Sequence, residues 1–136
     1  MNEGYVYFAI KGDDFDPDLA TTVLGIQPTS ITRKGDPYPR CSIWKVSTEK
    51  VVAEVIDIFE MSENIVSLLE HKADEIGRFV EEHNLHAVLE VVLWISMKDS
   101  ISTPAIGFER KVIEFLFKTG AVIDIDTYRN TDDEDE

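Results

Sequence analysis

The segment from His86 to Met97 leaves a folded chain few choices. Extended, it places Ala87, Leu89, Val91, Leu93, Ile95 and Met97 on one face and Val88, Val92 and Trp94 on the other. A strand that is apolar on both faces belongs inside a sheet, so the pattern predicts a central strand covered on both sides. Unbroken apolar runs such as Val91–Ile95 are of strand length. A membrane span takes about 20 such residues, so no membrane association is expected.

The remaining elements arrange themselves around that strand. Gly4–Lys11 alternates Val6, Phe8 and Ile10 against Tyr5, Tyr7 and Ala9, which reads as a second long strand. Asp16 followed by Pro17 predicts a short helix to about Leu24, ended by Gly25. Ser30–Lys34 and Ser42–Ser47 read as strands, and Val51–Phe59 fits a strand and a helix equally. A long helix is expected from Ser62, as its cap, to His83. Ile65, Leu68, Leu69, Ala73, Ile76, Phe79 and Val80 would point inward. Pro104–Gly107 suggests a short return strand, Phe108–Lys118 a helix and Val122–Tyr128 a final strand.

This order predicts one compact α+β domain over residues 1–130. Its sheet should be mostly antiparallel, packed by two or three helices and ferredoxin-like in outline. The acidic residues 131–136 are expected to form a disordered tail. At 136 residues the chain can bury a core without metal or disulfide, and its single cysteine, Cys41, cannot close an internal bridge. With no apolar leader at the start, a reducing cytoplasm is the expected setting.

Charge narrows the partners. The net charge is −14, and Asp132–Glu136 contributes only five of the acids, so the body is negative as well. Duplex nucleic acid is excluded as an expected ligand because phosphate binding needs a basic footprint. A basic protein partner is the natural complement. Against this background the segment Thr32–Arg40 stands out, with Arg33, Lys34 and Arg40 beside Asp36 and Tyr38, and with Trp44 just beyond. These six residues are the candidate binding set, able to receive an anionic ligand or a partner's carboxylates.

Catalytic and metal signatures are sparse. Asp14, Asp16 and Asp18 alternate, but an EF-hand loop begun at Asp14 would find Leu19 and Gly25 where it needs glycine and glutamate. His71 lies twelve residues before His83, His83 and His86 straddle a helix end without a nameable third ligand, and no glycine loop suited to phosphate occurs. Glu90, Asp124 and Asp126 would share one sheet face if their strands pair. That makes them the weak alternative for a metal or acid–base site. No cofactor is expected.

The N-terminal Tyr-Phe-Ala-Ile-Lys-Gly-Asp-Asp-Phe-Asp-Pro, the following Leu-Gly-Ile-Gln-Pro-Thr, the pair Gly35-Asp36 and Trp44 resemble a bacterial family of uncharacterised domains, domain-of-unknown-function family 4279. So does Ala-Val-Ile-Asp-Ile-Asp-Thr-Tyr near the C-terminus, after a helix ending in Lys-Thr-Gly. The resemblance spans about Tyr5 to Tyr128. It implies a single α+β unit, and carries no activity, cofactor or catalytic residue.

The expected function is therefore non-enzymatic protein binding, in the manner of an immunity-type inhibitor that covers a basic toxin. The alternative is a small anionic-ligand or phosphoester-handling protein that uses the 33–40 loop. Either fits a monomer or a homodimer.

Overall fold

The computed structural model describes residues 1–35 and 41–131. Strands β1 (Asn2–Gly12), β2 (Ser30–Thr32), β3 (Ser42–Ser47), β4 (Val51–Ala53), β5 (His86–Ser96) and β6 (Val122–Asn130) form one sheet. Helix α1 (Pro17–Leu24) follows β1, α2 (Ile58–Leu69) and α3 (Ala73–Glu82) join β4 to β5, and α4 (Arg110–Thr119) joins β5 to β6. The strand order is β2-β3-β1-β5-β6, with β4 beside the start of β1. All pairings are antiparallel except β5 with β6, which the α4 crossover makes parallel. Apart from the short β4, and with α2 and α3 as one helical connection, the order up to β5 is the split β-α-β-β-α-β of a ferredoxin-like sheet, to which α4 and β6 add one parallel strand.

Local chemistry explains the helix ends. Asp16 caps α1 by accepting from the Asp18 amide at 3.0 Å, Pro17 takes the first helical position, and Gly25 closes the helix at φ 67°. The long helix expected from Ser62 to His83 is instead two helices, joined by a 3₁₀ turn at Glu70–Lys72. It also begins earlier. Asp57, not Ser62, is the cap, accepting from the Glu60 amide at 3.0 Å. That settles the ambiguous Val51–Phe59 stretch as a short strand followed by a helix start. Ser62 is buried inside α2, and its hydroxyl has no hydrogen-bond partner among the described residues. Leu68, expected inward, is exposed, because Met61, Ile65 and Leu69 set the buried stripe and position 68 falls outside it.

The core lies on one side of the sheet. Val6, Phe8, Ile10, Trp44, Val46, Leu89, Val91 and Leu93 join the buried apolar side chains of all four helices in a single cluster. Phe8 meets Phe115 edge to face at 5.2 Å between ring centres. Strand β5 is central, as expected, yet helices cover only one of its faces. Val88, Glu90 and Val92 on the other face are buried without joining the helix-packed cluster. Side chains of the flanking strands bury them: Tyr5, Tyr7 and Ala9 of β1 stand opposite on the same face.

A buried polar side chain locks the sheet's end. Asn2 is fully buried; its Nδ2 donates to the carbonyls of Glu54 and Ser102, and its Oδ1 accepts from the Ser96 amide at 2.7 Å. These bonds hold the 97–109 connection, which is irregular where a return strand at Pro104–Gly107 was expected. Gly107 lies against the Phe59 ring there, too close to accept a Cβ without moving the ring.

Candidate functional site

Of the loop residues chosen from sequence, Arg33, Lys34 and Trp44 are described, and each has partners of its own. The Arg33 guanidinium is held by Asp16 at 3.2 Å and Asp18 at 2.6 Å, and its hydrogen bond to Asp18, before all else, raises its pKa. Two acids at the start of α1 thus occupy its donors. The Lys34 amide donates to Ser42 Oγ at 3.1 Å. Trp44 is fully buried, and its Nε1 donates to Thr21 Oγ1 at 3.1 Å, tying β3 to α1. Asp36, Tyr38 and Arg40 lie outside the described residues. Trp44→Phe is expected to cost about 2 kcal/mol in urea unfolding, because it removes ring volume and leaves the Thr21 hydroxyl unmatched.

The structure does bring Glu90, Asp124 and Asp126 together. The parallel register pairs Glu90 with Asp124 and Val92 with Asp126, so all three carboxylates rise from the face opposite the helices. One ligand oxygen from each lies within 4.8 Å of the others. Glu90 is 3% exposed, Asp126 is half-buried and Asp124 is exposed. None of the three pairs with a described cation.

Three carboxylates this close cannot all carry charge at ordinary cost. Burial, then hydrogen bonds to Asp126 and Asp124 that favour the protonated form, push Glu90 up to about 8. Glu90, the buried member of the cluster, therefore keeps its proton well above the ordinary carboxylate range. Tyr7, paired with Glu90 across the β1–β5 ladder, is pushed up to about 12, first by burial and then by the Glu90 charge.

A belt of aromatic rings borders the acids. Tyr5 stacks on Tyr7 at 6.0 Å and meets Trp94 at 6.1 Å, and Trp94 stacks on Tyr128 at 5.5 Å. The belt crosses β1, β5 and β6, three strands whose registers place these rings side by side. Two of the protein's own ammonium groups already sit on it. Lys45 Nζ lies 4.1 Å from the Tyr7 ring centre, and Lys50 Nζ lies 4.4 Å from that of Trp94 while pairing with Glu3 at 2.9 Å. Lys45 is lowered in pKa, chiefly by burial and then by Lys11.

The sequence does carry the signal for the acid cluster, in the alternation of Asp124 and Asp126 and the lone acid of β5. The belt is harder to see, since Tyr5, Tyr7, Trp94 and Tyr128 are scattered along the chain and meet only through strand register.

What results is a small α+β domain whose sheet carries helices on one face and an acid cluster ringed by aromatics on the other. The chain belongs to the family described as domain of unknown function (DUF4279), whose model matches residues 2–130. No curated protein and no solved structure matches it. No helix among the described residues is long and apolar enough to cross a membrane.

Proposed function

We propose that this protein is a non-enzymatic, cytoplasmic binding module that takes the cationic side chains of a basic partner protein on the open face of its sheet, as an immunity-type inhibitor does. The observation that carries this reading is the Glu90, Asp124 and Asp126 cluster, which has no ion pair among the described residues and is bordered by ring faces. Carboxylates supply charge-assisted hydrogen bonds to guanidinium or ammonium groups, each contributing about 1.5–3 kcal/mol. The rings accept the same groups face-on, as they already do for Lys45 and Lys50. The net charge of −14 steers a basic partner toward this surface, so association should be fast and weaken with salt.

A second reading rests on the same geometry. Three oxygens within 4.8 Å of one another suit a divalent cation such as Mg²⁺, Mn²⁺ or Ca²⁺. The two readings separate by calorimetry. An arginine-rich peptide titrated into the protein at pH 7 should bind and release about one proton, because a cation in the cluster drives the Glu90 proton off. The release should vanish above pH 9 and in Glu90→Gln. Millimolar Mg²⁺, Mn²⁺ and Ca²⁺ should compete only weakly. Tight metal binding with proton release, and none for the peptide, would reverse the order of the two readings.

A further inference from the structure

We propose that the outer edge of β6 pairs with an extended segment of the basic partner, one that carries lysine or arginine at alternate positions with aliphatic residues between them. The inference rests on the cation-binding reading of the sheet face and assigns that partner's backbone a place. Strand β6 ends the sheet, with β5 as its one neighbour among the described strands. Its nine residues keep unbroken register with β5, from Val88↔Val122 to Ser96↔Asn130, so no bulge twists the edge away. It contains no proline. A long, regular edge of this kind offers a row of N–H and C=O groups to another chain.

Side chains along the edge select the occupant. On the helix side Ile123 and Ile125 are each 40% exposed, although they lie on the same side as the core. On the open side Val122, Asp124, Asp126 and Tyr128 follow one another, so the acid cluster and the end of the aromatic belt stand at the edge itself. A second copy of the chain fits badly. In antiparallel self-pairing centred on Ile125, Asp124 of each copy would meet Asp126 of the other, setting further like charges against a cluster of three carboxylates. A strand with basic residues on the open side would place them against Asp124 and Asp126, with their aliphatic stems on Val122 and Tyr128. Its alternate aliphatic residues would cover Ile123 and Ile125.

The test uses the whole protein and a synthetic, end-capped peptide matched in length to the nine residues of β6, with lysine and valine in alternation. Binding is followed by calorimetry at two salt concentrations. The peptide should bind at low salt, weaken at high salt, and protect alternate β6 amides from hydrogen exchange. Methylating the backbone nitrogens of alternate peptide residues leaves every side chain in place and should weaken binding at least tenfold. Asp124→Asn with Asp126→Asn should do the same. Equal binding by the methylated peptide, still lost in the Asp-to-Asn protein, would overturn strand pairing and leave the cation-binding face standing. No binding of either peptide would remove both. A stable dimer of the free protein that protects β6 amides would also overturn the inference, because the edge would then be filled by a second copy.

Discussion

Glu90→Gln is expected to flatten the pH dependence of stability between about pH 4.5 and 8, and to make the protein more stable than wild type above pH 8 by about 2 kcal/mol. The sign follows from proton binding. Unfolded Glu90 loses its proton near its ordinary value of 4.5, whereas in the folded protein it holds that proton to about 8. Below 4.5 both states are protonated, and the favourable contribution of the neutral carboxyl is complete. Between the two values the unfolded chain binds fewer protons, so wild-type stability falls as pH rises. Above 8 the folded protein must carry a buried charge on Glu90, close to the Asp124 and Asp126 carboxyls. Glutamine has the shape of the protonated acid, donates through its amide as that acid does, and does not titrate. The effect is kept to about 2 kcal/mol because Asp124 is exposed and water screens part of the repulsion. Urea unfolding of both proteins across this range measures it. Parallel stability curves would show that Glu90 does not keep its proton above the ordinary carboxylate range.

Gly77→Ala should destabilise the protein by about 3 kcal/mol, against the direction helix propensity dictates. Alanine in a helix interior is ordinarily more favourable than glycine by about 1 kcal/mol. At this position a Cβ would stand 2.4 Å from the carbonyl oxygen of Lys118, at the end of α4. That oxygen belongs to the backbone and cannot swing aside, so α3 and α4 would have to separate, loosening the core cluster to which Ile76, Val80 and Leu116 belong. Thermal or urea unfolding decides the sign. A stabilised Gly77→Ala would mean that the two helices have slack where they cross.

Gly77 also shows where sequence reading ends. Nothing beside it distinguishes a glycine that admits a neighbouring helix from one that merely weakens its own, since the neighbour lies about forty residues on. Alternation, by contrast, made the long strands plain. Val6, Phe8 and Ile10 face the core as their spacing predicts, and so do Leu89, Val91 and Leu93. The same alternation could not reveal that the opposite face lacks helices, because Val88, Val92 and Ala9 are apolar and become buried under neighbours on their own sheet. Composition drew notice to Arg33 and Trp44 for their residue types. Packing gives Trp44 a core position and places Arg33 between Asp16 and Asp18, contacts that span 15 or more residues of sequence. Glu90, Asp124 and Asp126 were legible as a group only on condition that β5 and β6 pair, and the parallel register meets that condition.

The binding account turns on whether the open face is where a basic partner docks. The most direct measurement is a paired capture from native extract, with wild-type protein and an Asp124→Lys, Asp126→Lys variant immobilised side by side at low salt and eluted with rising salt. Both substituted positions lie on the edge strand, Asp124 exposed and Asp126 half-buried, so the folded core is left alone, and a circular dichroism melt of the variant verifies this. The account predicts one stoichiometric basic protein that elutes with salt from the wild-type column and is missing from the variant column. Equal retention of that protein on both columns would place its docking surface elsewhere and contradict the account.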